Sequence, residues 1–316
     1  MSGHPKSSQL KVHHEDTVAP EDIVDLFKIA FIAELYSNDE LADLQSQIQT
    51  VKADLYNRDY TSAFGNDSKR IAYCCRWSPS RATAYASLFA HLKEVSNVMR
   101  CTDGDKNILC VGGGAGGELV ALASLFAPSR NFKAKYSKVA TEKYSLNIHL
   151  VDISDWSNVV SRLSEAIRQR WLYAGESEFF NIQFSKQDIL TSDHMTLGLA
   201  KLDFISLLFT TNELFAENKA QSIRLLQTFN QYCKSGCYLL ITESAGSYSH
   251  ITVGTKKFPI QFLIDTVLMG KRGEETNSPW TLVQESDSTW YRGDPQLDYP
   301  MKLENMRFFY RLYKKV

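Results

Sequence analysis

The apolar positions along the chain change their period twice. Between residues 21 and about 60 the spacing is helical: Leu41, Leu44, Ile48, Val51 and Leu55 alternate three- and four-residue steps and form one seam. Ser37 and Asn38 stand where that helix would be capped. In "YCCRWSPSRATAYASLFAHL" (73–92), Ser78 followed by Pro79 predicts a helix start with proline at the first helical position. Beyond residue 106, short apolar runs alternate with helical patterns. Strands are predicted at 107–111, 147–152, 181–184, 203–209 and 237–242, and helices at about 117–127, 155–173, 217–233 and 257–269. "FISLLF" and "YLLI" read as near-continuous apolar runs, as strands buried on both faces of a parallel sheet do. The end of the chain differs. "WTLVQES" (280–286) and "MRFFYRLYKK" (306–315) predict two strands joined by a loop, so an antiparallel pair closes the sheet.

Length and composition sharpen this only slightly. A chain of 316 residues that is 44% hydrophobic can bury a large core. Residues 1–20 are polar, carry His4, His13 and His14, and read as a flexible tail. Residues 21–100 read as a helical region or lid packed on the core, and 101–316 as the main domain. The formal net charge of -1 argues against a dedicated duplex-DNA binder and confines any nucleic-acid contact to a local patch. Six cysteines form no CxxC pair, so reduced thiols and no metal site are expected. No secretory signal or membrane span is expected either, because the longest early apolar run covers only 29–33.

The candidate chemistry begins at "ILCVGGGAGGELVALASLF" (108–126). A strand that turns sharply into a helix exposes unpaired N–H groups, and glycine lets a ligand approach them. Gly112, Gly114 and Gly117 fit the GxGxxG of dinucleotide binders; Gly112, Gly114 and Gly116 fit the GxGxG of S-adenosylmethionine (SAM) enzymes. A purely structural tight turn is the plain alternative. At the end of "NIHLVDIS", Asp152 can accept both hydroxyl hydrogen bonds of a ribose, because Ser154 and Asp155 suffice to cap the next helix. In "FSKQDIL" (184–190), Asp188 can accept an adenine amino hydrogen while Ile189 packs on the ring; a turn aspartate is the alternative. After "FISLLF" come Thr210, Thr211 and Asn212, at the carboxyl edge where open α/β sheets bind ligands.

Taken together, residues 107–315 resemble a class I SAM-dependent methyltransferase. The resemblance implies an α/β fold: a Rossmann-like sheet of seven strands with the last inserted antiparallel, behind an N-terminal helical extension. It implies SAM as cofactor, held by Gly112, Gly113, Gly114, Gly116, Glu118, Asp152, Ile153, Asp188, Ile189 and Thr210. Two features depart from the family pattern. Cys110 stands where an acid often precedes the first glycine by two positions, and Glu118 can take over the contact to the methionine amino group. Asp152 also lies further from the loop than the usual roughly 20 residues. The inserted 128–145 carries Arg130, Lys133, Lys135, Lys138 and Lys143 beside Phe132 and Tyr136. That is either a solvated loop or a basic arm suited to RNA.

"YCCRWSPSRATAYASLFAHL", "ILCVGGGAGGELVAL", "LLFTTNELF" and "ITESAGSYSHITVG" are together similar to the fungal methyltransferases that modify a uridine at N3 in large-subunit (25S) ribosomal RNA. That narrower resemblance implies ribosomal RNA or a pre-ribosome as partner, in the nucleus, nucleolus or cytoplasm, with no membrane and no metal. Asn212, Thr211 and Glu213 then form the catalytic set, with Glu243 a second candidate proton acceptor. Arg76 and Arg81 are candidate phosphate contacts, and Tyr248 and His250 candidate base contacts. The N-terminal helices are a candidate docking site for a protein. A methyltransferase acting on a protein or small molecule, a non-catalytic SAM-binding scaffold and a nicotinamide oxidoreductase remain as alternatives.

Overall fold

The structure, a computed structural model, describes residues 8–130, 143–172, 175–246, 250–253, 256–270 and 278–316, with backbone alone at 250–253 and 256–257. The chain opens with β1 (Ser8–Gln9) and six helices: α1 (Pro20–Ala30), α2 (Ile32–Tyr36), α3 (Asn38–Tyr56), α4 (Tyr60–Ala63), α5 (Asp67–His91) and α6 (Lys93–Arg100). Alternation follows: β2 (Lys106–Val111), α7 (Gly117–Arg130), β3 (Leu146–Asp152), α8 (Ser157–Arg170), β4 (Phe180–Lys186), β5 (Phe204–Leu208), α9 (Thr211–Glu217), α10 (Lys219–Tyr232) and β6 (Tyr238–Ser244). The hairpin β7 (His250–Val253) and β8 (Lys256–Pro259), α11 (Ile260–Met269), β9 (Trp280–Tyr291) and β10 (Met306–Lys315) complete the chain.

The main sheet has the order β1-β9-β10-β6-β5-β2-β3-β4. Strands β2 to β6 are parallel to their sheet neighbours within that set. Strand β10 runs antiparallel to both β6 and β9, so it alone is inverted between parallel neighbours. This is the expected Rossmann-like sheet, with one strand more than seven. The chain reverses its winding direction at β2, which pairs with both β3 and β5. The carboxyl ends of β2 and β5 therefore part there and leave a crevice.

The extra strand comes from the segment read as a flexible tail, and this corrects that reading for residues 8–20. Ser8 and Gln9 pair with Thr289 and Trp290. Leu10 donates its N–H to Trp290 O at 2.8 Å and is buried. The reason is tertiary: the exposed edge of β9 offers unpaired backbone groups, and two residues followed by one leucine suffice to use them.

Helix α5 is a second correction. It starts at Asp67, where Asn66 Oδ1 accepts the Lys69 N–H at 2.9 Å, and it continues straight through Pro79. Proline removes the N–H that would bond to the Cys75 carbonyl one turn earlier. The Tyr299 hydroxyl donates to Cys75 O instead, at 2.6 Å. Two smaller differences lie downstream. Residues 211–217 form a helix rather than a loop, and β9 extends past 286 to Tyr291.

Helices α1, α2, α3, α5 and α6 share one continuous apolar core with the sheet. The α3 seam buries Leu44, Ile48 and Val51 in that core, as its spacing predicts. Helix α2 is held to α8 by the bidentate pair of Arg162 and Glu34, at 2.6 and 2.8 Å. Among the described residues, no helix is long and apolar enough to cross a membrane.

Candidate active site

The glycine loop is shaped by what presses on it. Gly112 and Gly116 have φ of 75° and 82°, the left-handed region that side chains disfavour. A Cβ on Gly112 would lie 2.3 Å from Thr210 Oγ1, and one on Gly114 2.1 Å from the Trp156 ring. Trp156, Thr210 and Leu163 thus crowd the loop from the protein side and leave its main chain lining the crevice. Thr210 donates Oγ1–H to Val111 O at 3.1 Å and so ties the end of β5 to the strand entering the loop. Ser78 of α5 donates to Ala115 O at 2.6 Å.

Asp152 closes the far side. Its carboxylate accepts the N–H of Gly114 at 3.2 Å and of Ser154 at 3.0 Å, so it fixes the loop as well as facing the crevice. Each oxygen keeps lone-pair capacity for a further donor. Burial pushes this carboxyl up to about 6, against those two backbone donors. The helix-capping role falls to Asp155, which accepts from Ser157 N and Oγ. Ile153, beside Asp152, is 64% exposed, an open apolar face at the site.

Asp188 and Ile189 follow β4, as the sequence places them. Asp188 accepts the Leu190 N–H at 2.9 Å and its carbonyl takes Ser192 Oγ, so it organises a turn. Ile189 is buried in the second apolar core and offers no open face. The apolar surface available to a planar ring is Ile153.

Beneath the loop, Glu118 is 3% exposed and accepts the Ser206 hydroxyl at 2.6 Å. One of its oxygens lies 3.1 Å from the position a Gly113 Cβ would take. Cys110 is buried beside it. The acid at this place thus comes from the first turn of α7 rather than from β2. Burial pushes it up to about 8.

Phe209 makes the opposite wall. It is a non-glycine residue at φ 61°, a conformation that costs roughly 1–2 kcal/mol. Its N–H is held by Thr242 O at 2.9 Å, and its ring lies against Tyr85 and Phe308. The turn starts α9, where Asn212 donates its backbone N–H and its Nδ2 to the two oxygens of Glu243, both at 2.8 Å. Thr211 is 1% exposed, and its hydroxyl has no partner among the described residues. The neighbouring Glu213 is only partly buried.

Arg81 of α5 completes the site. Its guanidinium sits over the rings of Tyr73 and Phe209, at 5.7 and 5.3 Å. Its charge acts on Glu118, Glu213 and Glu243. Burial pushes Glu213 up to about 8 and Glu243 up to about 7. The proximity of Tyr60 and Tyr73 to Glu213 was not legible in sequence, because α4 and α5 bring them from a distant part of the chain.

Arg76, by contrast, is spent on structure: it donates to Lys302 O at 2.9 Å and pairs with Glu304. Tyr248 and the side chain of His250 lie outside what the structure describes. Arg130 donates to Cys101 O and Tyr144 O, and Lys143 pairs with Glu176 at 2.7 Å. Those two therefore brace the fold; Lys133, Lys135 and Lys138, with Phe132 and Tyr136, lie outside the described residues. The six cysteines are buried free thiols, and the described residues contain no cluster of three potential metal ligands.

The donor set fits SAM. Four carboxylates with raised protonation surround the loop, three of them beside the one Arg81 guanidinium, so the site favours an added cation, and a sulfonium with an ammonium supplies it. The loop amides, Asp152 and the open face of Ile153 suit an adenosine.

An inverted strand beside the parallel set, with an acidic crevice at its switch point, defines a class I methyltransferase architecture. The chain belongs to a family of SAM-dependent methyltransferases: the family model described as "Putative SAM-dependent methyltransferase" matches residues 27–314. Membership removes the nicotinamide alternative. The 25S rRNA (uridine(2843)-N(3))-methyltransferase of Saccharomyces cerevisiae is 57% identical over 326 residues, covering 98% of this chain and 89% of its own. Among solved structures, the N-methyltransferase NodS from Bradyrhizobium japonicum in complex with S-adenosyl-L-homocysteine is similar at 14% identity. It covers 72% of this chain and 87% of its own, with a TM-score of 0.37. An O-methyltransferase family protein from Burkholderia thailandensis is similar at 11% identity, covering 89% and 73%, with a TM-score of 0.44.

Proposed function

We propose that the protein transfers a methyl group from SAM to N3 of a uridine in large-subunit ribosomal RNA. The observation that carries this reading is the 57% identity to the yeast uridine-N3-methyltransferase over 98% of the chain. SAM, when bound, supplies a methyl carbon already activated on sulfonium, so the protein's task is placement. Gly114 and Asp152 hold the sugar side, Ile153 faces the ring, and Glu118 stands under the loop for the amino group. Asn212, fixed by Glu243, points the start of α9 at the base. Uracil N3 lies on the pairing edge, so the nucleotide must be unpaired or turned out of its helix to reach the crevice. Arg81, held over two rings, offsets negative charge on the uracil carbonyls. A ribosomal substrate places the protein with ribosomal RNA or a pre-ribosome, in the nucleus, nucleolus or cytoplasm.

Nucleoside mass spectrometry of large-subunit RNA from cells lacking the protein tests this. The expected result is loss of N3-methyluridine at one position, restored by the wild-type chain and not by Asp152→Asn. An unchanged N3-methyluridine content contradicts the reading.

A further inference from the structure

Three of the four crevice carboxylates are already engaged. Glu118 accepts from Ser206, Asp152 from two backbone N–H groups, and Glu243 from both nitrogens of Asn212. Glu213 accepts no hydrogen bond from any described residue. It is partly exposed, in the first turn of α9 at the carboxyl edge of the sheet, next to the residue that Glu243 locks in place. From this difference in engagement we propose that Glu213 is the catalytic proton acceptor, taking the proton from uracil N3 during methyl transfer. The assignment rests on the uridine reading above and selects one residue from the acidic set.

The step balances. The N3 proton passes to a Glu213 oxygen and later to water. The electron pair left on N3 forms the bond to the methyl carbon. The carbon–sulfur pair stays on sulfur, which changes from sulfonium to neutral thioether. Glu243 is less suited, because both its oxygens already accept from Asn212, and a proton on either one competes with a hydrogen bond that sets the start of α9. The groups around Glu213 are Arg81 and Tyr73 of α5, Tyr60 of α4, Glu243 of β6 and Asp152 of β3. Burial, with Glu243 and Asp152 opposing Arg81, pushes Glu213 up to about 8. That brings it nearer to a ring N3–H than an ordinary carboxylate, and proton transfer is less uphill for it.

The test uses the full chain, a large-subunit RNA substrate and saturating SAM. Single-turnover methylation is followed from pH 6 to 9 for the wild type, Glu213→Gln and Glu213→Asp, with SAM affinity measured by calorimetry. The expected result for Glu213→Gln is a rate lower by roughly 10²–10⁴-fold, with SAM affinity retained. The rise in rate with pH, which bound SAM moves below the value of the free protein, disappears with it, and Glu213→Asp keeps that rise at a reduced rate. A Glu213→Gln protein at wild-type rate, or one with the same pH rise, overturns the assignment and leaves the function standing. If Glu213→Gln does not fold, Glu213→Asp decides: a wild-type rate and pH profile in that variant overturns the assignment. A wild-type protein that methylates no uridine N3 overturns both.

Discussion

Gly114 has no room for a side chain, and that fact connects the sequence motif to the site. A Cβ there would lie 2.1 Å from Trp156, which is 2% exposed and boxed in by Phe64 and Tyr73. Neither partner can yield cheaply, and overpacking of this kind costs about 1–3 kcal/mol. Gly114→Ala should lower stability by that amount in thermal denaturation. Because the loop must shift away from Asp152, SAM affinity should also fall at least about tenfold by calorimetry. The positions of the glycines, Asp152, Glu118 and Glu213 at the carboxyl ends of the strands were legible in the sequence, because each sits within a few residues of a strand end, where local pattern dictates position. What the local pattern does not contain is the burial of Ile189 in the second apolar core, which leaves Ile153 as the open isoleucine beside the loop. Arg76 was misread for a similar reason, since nothing near it in sequence announces Glu304.

At the scale of elements, α5 holds the crevice to the rest of the molecule. It contributes Ser78 to the glycine loop and Arg81 to the carboxylates, and Ser80 accepts the Glu304 N–H. The sequence places a helix start at Pro79, since proline ordinarily begins a helix or breaks it. What the local pattern does not contain is Tyr299, whose hydroxyl donates to the carbonyl that proline orphans. The replacement can be tested by a double-mutant cycle. Tyr299→Phe should cost about 1–2 kcal/mol in chemical denaturation of the wild type, the price of an unmet carbonyl. In a Pro79→Ala background the alanine N–H meets that carbonyl, and Tyr299→Phe should cost distinctly less. Equal costs in both backgrounds would show that the hydroxyl does not stand in for the missing N–H.

Over the whole molecule, the parallel strands were readable to within one or two residues because β5 and β6 are near-continuous apolar runs and β3 and β4 alternate apolar with polar positions. The final antiparallel pair was readable because no helix separates β9 from β10. Strand β1 was not, because two polar residues have no pattern of their own and pair only once β9 exists. The crevice itself is a property of the assembly: its acids come from α7, β3, α9 and β6 and meet only through the sheet order. Their protonation is raised in the free protein, to about 6 for Asp152 and about 8 for Glu118 and Glu213. The folded chain thus holds protons that the unfolded chain has already lost above about pH 4–5, so its stability falls as pH climbs from there to 8. A bound cation reverses this by favouring the ionised forms, and SAM binding should therefore release protons.

Calorimetry of SAM binding between pH 6 and 8, in buffers of different ionisation enthalpy, tests this charge-based account of cofactor binding most directly. The wild type should bind SAM more tightly as pH rises and release protons. The neutral thioether product should show a weaker pH dependence, and Asp152→Asn should lose at least about tenfold in affinity. SAM binding that is independent of pH, or unchanged in Asp152→Asn, would contradict it.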